Sequence, residues 1–79
     1  MKIPRHLSGH DLVQTLSGTW GYRVVHQEGS HVVLETDEPS HQRLAVPAHK
    51  YLRIGTLNAI VRTVANPKRV ERDTIIESL

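Results

Sequence analysis

The stretch YRVVHQEGSHVVLET, residues 22–36, decides the fold because it holds two β-rich runs around one short turn. Tyr22–Gln27 and His31–Thr36 are rich in β-branched and aromatic side chains, which pack well on a pleated surface. Between them lies Glu28-Gly29-Ser30, where glycine can adopt the positive φ that a tight hairpin needs. The stretch therefore predicts an antiparallel β-hairpin.

A helix is predicted on the N-terminal side of the hairpin. Ser8 can cap free N–H groups at a helix start, and Asp11, three residues later, faces the positive end of the helix dipole. The apolar side chains that follow fall on one stripe of a helix: Leu12, Val13 and Leu16. Gly18 and Gly21 then end the pattern, so we predict a helix over residues 9–18.

Three more elements are predicted after the hairpin. Residues 42–47 alternate in polarity with the period of a half-buried strand, which Pro47 closes. A second helix is expected from Gly55-Thr56 to a stop at Asn66-Pro67, and a short final helix over residues 71–78. The second helix has the clearest helical period in the chain: Leu57, Ile60, Val61 and Val64.

This order of elements predicts an α+β fold with the arrangement α-β-β-β-α and a short C-terminal helix. Two helices packed on one face of a three-stranded antiparallel sheet are the simplest way to bury the apolar positions. This layout is that of a double-stranded-RNA-binding-domain-like (dsRBD-like) fold. We expect Leu34, Leu57 and Ile60 to lie between the second helix and the sheet, and the other sheet face to stay open.

Composition limits the classes of protein to consider. The chain has 79 residues, enough for one small domain, and no cysteine, which excludes disulfides and thiolate zinc sites. It has no apolar run of the length that a membrane span needs and no signal-peptide pattern, so we expect a cytoplasmic protein. The net charge of +2, with six histidines, weakly favours a polyanionic partner.

His31 is the first candidate for chemistry. In a strand that starts at His31, this residue shares a face with Val33 and Glu35, while the more apolar Val32 and Leu34 share the other. His31 should therefore lie on the open sheet face, where an imidazole can take or give a proton near neutral pH. The alternative is a surface histidine with no role.

Other patterns give weaker hypotheses. His6 and His10, or His26 near His31, make only a poor metal site, and a Ser-His-Asp arrangement lacks a nucleophile elbow. The cations of His49-Lys50 and Arg53 precede the second helix, whose free N–H groups could bind phosphate. An equally simple interpretation is that Thr56 caps this helix and the cations are only solvated.

The sequence resembles the HicA toxin family over roughly residues 3–65. The motif Gly-Ser-His alone would be weak, but it is joined at compatible spacing to Pro-x-His and to Gly-Thr-Leu-x-x-Ile. The residues that carry the resemblance are Ser8-Gly9, Leu12-Val13, Leu16, Gly21-Tyr22, Val24-Val25, Gly29-Ser30-His31, Val46-Pro47, His49, Leu52, Gly55-Thr56-Leu57 and Ile60.

The resemblance implies a toxin with a dsRBD-like fold, one domain over 1–79 with its core at about 3–65 and a C-terminal extension at 66–79. It implies an mRNA interferase, an endoribonuclease that needs no metal or other cofactor and is neutralised by a HicB-type antitoxin. The histidine of the Gly-Ser-His motif, here His31, would be catalytic. The candidate RNA-binding residues are Ser30, His49, Lys50, Arg53 and Arg23, with Arg43 as a further phosphate contact.

Two other functions are compatible with the same pattern. The fold could hold structured RNA by shape and phosphate contacts without cleaving it. A degenerate toxin could also keep the fold and act only as a protein-interaction module. A neighbouring gene for a small acidic antitoxin would favour the toxin.

Overall fold

The computed structural model describes residues 7–79 and has the predicted order of elements. Helix α1 is followed by a three-stranded antiparallel sheet in the order β1-β2-β3 and by two further helices. The elements are α1 (Gly9–Thr19), β1 (Arg23–Glu28), β2 (His31–Thr36), β3 (Gln42–Pro47), α2 (Ile54–Lys68) and α3 (Arg72–Glu77). The α+β prediction is confirmed, and within the described part of the chain no helix is long and apolar enough to cross a membrane.

Helix α1 begins as the sequence predicted. The Ser8 side chain accepts a hydrogen bond from the Asp11 N–H at 3.0 Å, and the Asp11 carboxylate accepts one from the Ser8 N–H at 3.4 Å. This reciprocal capping box satisfies two N–H groups at the start of the helix. Leu12 and Leu16 are fully buried and fix the orientation of α1 on the sheet.

The hairpin contains one irregularity that the sequence did not predict. Glu28 pairs with His31 and His26 with Val33, but a β-bulge at Val25 then shifts the register by one residue. Because side chains alternate between faces, the bulge brings Arg23 opposite Glu35 on the open face instead of opposite Thr36 on the helix side.

The sheet has one buried face and one open face. Val32, Leu34 and Thr36 of β2 are buried, whereas His31 is exposed and Val33 and Glu35 are partly exposed. Leu34 lies in the same core as Leu57 and Ile60, so both main helices cover one face, as predicted.

The end of α2 differs from the prediction. The helix continues through Asn66 and Pro67 to Lys68, although Pro67 cannot donate a helical hydrogen bond. Arg69 ends it in the left-handed conformation, with a φ of 54°. The N–H groups of Arg69 and Val70 then donate to the carbonyls of Asn66 and Ala65, both at 3.2 Å.

The final helix is docked on the rest of the chain. Ile75 and Ile76 are buried in the common core, and the Trp20 indole N–H donates to the Ser78 hydroxyl oxygen at 2.9 Å. Since Trp20 follows α1, this bond ties the end of α1 to the C-terminal segment.

Leu57→Ala should lower the free energy of unfolding by about 2–5 kcal/mol, because Leu57 is fully buried and its truncation leaves a cavity. Ile54→Ala, in the same helix at a side chain that is 45% exposed, is the control and should cost far less. Chemical denaturation of both variants checks this. Equal losses would contradict the described placement of α2.

Candidate functional site

His31 lies at the first position of β2, directly after the hairpin turn. Gly29 has the positive φ of 58° that the sequence predicted for the turn, and Glu28 and His31 form the last pair before it. On its other side His31 pairs with Pro47 of β3. The imidazole is exposed on the open face, and no hydrogen bond or ion pair with residues 7–79 engages it. Both of its ring nitrogens are therefore accessible to a ligand.

The loop between β3 and α2 joins the hairpin turn to the start of α1. The Ala48 N–H donates to the Ser30 carbonyl at 2.5 Å, and the His49 carbonyl accepts a hydrogen bond from the Gly9 N–H at 2.9 Å. Three motifs far apart in sequence, at Ser8-Gly9, Gly29-Ser30-His31 and Pro47-Ala48-His49, thus meet at one end of the sheet.

The junction requires glycine at position 9 because there is no room for a side chain, and not because the backbone φ is unusual. A Cβ built on Gly9 would overlap the Pro47 carbonyl oxygen and lie 2.9 Å from the Ala48 Cα. Only a glycine lets the helix start and the loop backbone approach this closely.

Side chains of the loop line a cleft at the start of α2. The cleft has a volume of about 360 Å³ and is lined by Pro47, His49, Tyr51, Leu52, Arg53 and Thr56. Lys50 is exposed next to it, with its ammonium group 5.7 Å from the centroid of the Tyr51 ring. His49 and Arg53 therefore line one cleft, and Lys50 lies beside one of its lining residues.

The interpretation of Thr56 as the cap of the second helix is wrong. The helix begins two residues earlier than Thr56, at Ile54, and Arg53 occupies the N-cap position. Within the described residues no side chain caps this helix start, and its first turn holds no acidic residue. The first N–H groups of α2 therefore have no side-chain acceptor among residues 7–79, and no carboxylate lies in the first turn to compete with an anion. A helix start of this kind suits an anion.

Arg23 lies away from these residues. It is opposite Glu35, four residues along β2 from His31, which corresponds to about 13 Å. Its guanidinium group donates to Asp37 at 2.9 Å and lies 3.6 Å from the Glu35 carboxylate. The structure therefore does not bring Arg23 to the end of the sheet where His31, Ser30 and His49 meet.

The comparison with protein families identifies the chain. Residues 9–65 match the family described as HicA toxin of bacterial toxin-antitoxin, a match that covers well over half of the 79 residues. The chain belongs to the HicA toxin family. No significant match was found among curated proteins or among solved structures.

Membership of the HicA family makes the chain a toxin of a bacterial toxin–antitoxin system, with an antitoxin as its partner. The matched region contains the whole junction of Gly9, Ser30, His31 and His49. It ends at Ala65, before the last turn of α2 and helix α3.

Sequence reasoning missed a network of charged groups at the far end of the open face. The Glu35 carboxylate, whose side chain is 19% exposed, lies within 3.8 Å of the Arg23, His41 and Arg43 side chains. A hydrogen bond with His41, and next the contact with Arg23, hold the pKa of Asp37 below its usual range. The contact of Arg23 with Glu35 depends on the bulge and could not be read from spacing.

The described residues offer no metal centre in this region or elsewhere. Among residues 7–79, no three His, Asp or Glu side chains are arranged so that they could hold a metal ion. His10 is exposed in the first turn of α1, and His6, its partner in the weak metal hypothesis, lies outside the described residues.

Gly9→Ala should destabilise the fold by roughly 1–3 kcal/mol, because the loop backbone would have to move away from α1. Gly18→Ala is a matched control in the same helix. A Cβ at Gly18 meets no atom within 4 Å, so this variant should gain up to about 1 kcal/mol. Thermal unfolding measures both. A Gly9→Ala protein as stable as wild type would show that the close approach is not required.

Proposed function

We propose that this HicA-family toxin is a metal-independent endoribonuclease that cleaves mRNA through His31 and is neutralised by a HicB-type antitoxin. The observation that carries the proposal is the exposed, unengaged imidazole of His31 beside a loop that holds the cations Lys50 and Arg53 and a second imidazole, His49. This is the set of groups that RNA cleavage needs, because RNA supplies its own nucleophile.

The reaction follows from the chemistry of RNA. The ribose 2′-oxygen attacks the adjacent phosphorus, and the bond from phosphorus to the 5′-oxygen of the next nucleotide breaks. One proton leaves the 2′-hydroxyl and one is added to the 5′-oxygen, so the products carry a 2′,3′-cyclic phosphate and a 5′-hydroxyl. His31 would perform one of these transfers, and a positioned acid or base accelerates such a step by about 10²–10⁴-fold.

The position of His31 supports this role. As the first residue of β2, it projects from a strand whose pairing is fixed on both sides, by Glu28 and by Pro47. The Ser30 carbonyl accepts from Ala48 and thereby holds the neighbouring loop against the hairpin turn. A rigid position lowers the cost of aligning the imidazole with a phosphodiester.

The phosphate contacts would come from the loop. Lys50 and Arg53 supply charge, the uncapped start of α2 supplies N–H groups, and Ser30 and His49 lie where the loop meets the hairpin. Arg23 would contact RNA only at a more distant nucleotide, and only if the phosphate competes with Glu35 and Asp37.

His31→Ala should abolish RNA cleavage and cellular toxicity while leaving the unfolding temperature nearly unchanged, because the side chain is exposed. His26→Ala, which removes another exposed imidazole from the same face, is the control and should keep cleaving. Cleavage of a labelled single-stranded RNA by wild type should persist in EDTA and leave cyclic or 3′-phosphate ends.

The outcomes separate the competing functions. A His31→Ala protein that still cuts would defeat the mechanism, and one that unfolds would make His31 a structural residue. Wild type that binds RNA without cutting would be an RNA-binding module, and wild type that binds only the antitoxin would be an interaction module. The rate falls as the imidazole becomes protonated if His31 is the base, and rises if it is the acid.

Lys50→Ala combined with Arg53→Ala should weaken RNA binding at low salt and lower the salt slope by about 1.4, because each phosphate contact contributes roughly 0.7 on a single strand. The binding is measured in the His31→Ala background to prevent cleavage. Gln14→Glu with Ser17→Glu, at exposed positions of α1, changes the net charge equally and should leave the slope nearly unchanged. An unaltered slope in the loop variant would place the RNA path elsewhere.

A further inference from the structure

A second cationic site lies where α2 meets α3. A cleft of about 560 Å³ opens between the last turns of α2 and the start of α3, and we call it the arginine cleft. It is lined by Arg62, Ala65, Asn66, Arg69, Val70 and Arg72. Three arginines therefore line one concave surface.

The three arginines are not neutralised by the part of the chain that the structure describes. None of their side chains forms an ion pair or a hydrogen bond with residues 7–79. The Arg72 Nε is moreover buried without an acceptor among these residues. A buried donor without an acceptor is unfavourable, and three guanidinium-bearing residues without a carboxylate partner in this part of the chain make the cleft suited to an anion.

The backbone at Arg69 points to the same conclusion. This residue ends α2 in the left-handed conformation, with a φ of 54°, where glycine is the usual residue. An arginine there accepts backbone strain that glycine would avoid, and it adds a third cation to the cleft.

The lining offers more than a carboxylate needs. Guanidinium groups pair with phosphate and carboxylate alike, so the arginines select an anion and not its class. Ala65 and Val70 add an apolar wall, and the Asn66 amide offers a donor and an acceptor; a carboxylate can use only the donor, whereas a ribose or a base edge can use both. These groups favour a nucleotide phosphate.

We propose that the arginine cleft binds a phosphate of the RNA backbone, at a second contact separate from the place of cleavage. The proposal rests on the proposed ribonuclease function for the source of the phosphate. The 15-residue helix α2 separates the cleft from the His49–Arg53 loop by roughly 20 Å, so only an RNA of several nucleotides reaches both. Most of the lining lies beyond residue 65, where the family match ends.

The first arm of the test uses inorganic phosphate alone. Titration of the His31→Ala protein should shift the backbone amide resonances of residues 65–72 other than Pro67, and these shifts should be independent of Lys50 and Arg53. Arg69→Gly should weaken this binding about tenfold or more, the loss expected for one hydrogen bond to a charged group. The Arg69→Gly variant should also unfold at the same temperature as its parent or at a higher one, because glycine relieves the strain at a positive φ. Arg62→Ala is a second variant that leaves the backbone unchanged.

The second arm uses a single-stranded oligoribonucleotide in the same His31→Ala background. Arg69→Gly should lower the salt slope of binding by about 0.7, one phosphate contact on a single strand. Gln14→Glu, which lowers the net charge by the same amount on the exposed side of α1, should not. RNA cleavage by the wild-type protein, which retains His31, is measured separately and tests the proposed function independently of the cleft.

Each outcome decides the proposal. The proposal is supported if Arg69→Gly loses phosphate binding at the cleft and its salt slope for RNA falls by about 0.7, the value of one phosphate contact. Phosphate-induced shifts at residues 65–72 that persist in both Arg69→Gly and Arg62→Ala overturn it. Binding of phosphate with an unchanged RNA slope overturns the assignment to RNA and makes the cleft a site for free phosphate. A glutamate-rich peptide that displaces RNA from the cleft at lower concentration than phosphate does would make it a carboxylate site, which also contradicts the proposal.

Discussion

The close contact between the start of α1 and the loop after β3 is the constraint on which the candidate site depends. Gly9 donates to the His49 carbonyl, and Ala48 donates to the Ser30 carbonyl, so one short loop is hydrogen-bonded to both the helix and the hairpin turn. A residue with a side chain at position 9 would keep these backbones apart, because its Cβ would overlap the Pro47 carbonyl oxygen. Backbone hydrogen bonds fix geometry more tightly than contacts between long exposed side chains, because fewer rotatable bonds separate the connected segments. His31 and the cationic loop therefore keep one relative position.

The division of the sheet into a buried and an open face explains how so small a protein can present a reactive surface. Both main helices and α3 contribute to one core on the buried face, with Leu34, Leu57 and Ile75 completely inaccessible. Alternate positions of the strands supply that core, which leaves His31 exposed on the open face and outside the core. A substitution at an open-face position can thus alter chemistry at little cost in stability.

The open face itself is divided electrostatically. At the end of β2 near the hairpin lie an unengaged imidazole and cations of the following loop, whereas at the other end Arg23, Arg43 and His41 surround Glu35 and Asp37. The carboxylates hold the nearby positive charge in local pairs. Among the described residues, the Lys and Arg side chains without a carboxylate partner therefore lie in the loop beside His31, along the C-terminal half of α2 and at the start of α3.

The sequence by itself determined the order of elements, the faces of β2 and the family. These follow from local rules: the period of apolar residues, the cap at Ser8 and Asp11, and the glycine that the turn at Gly29 needs. Only the tertiary structure decided which distant residues meet. One extra residue at Val25 moved Arg23 to the open face and into ion pairs with Glu35 and Asp37, and no spacing rule predicts a bulge. The ends of α2 were also decided by context, since Arg53 and not Thr56 occupies the N-cap and the helix continues through Pro67 to a left-handed Arg69. The physical reason is that most local propensities differ by about a kcal/mol or less, and proline's in a helix by about 3 kcal/mol, so packing and hydrogen bonds between remote segments can outweigh them.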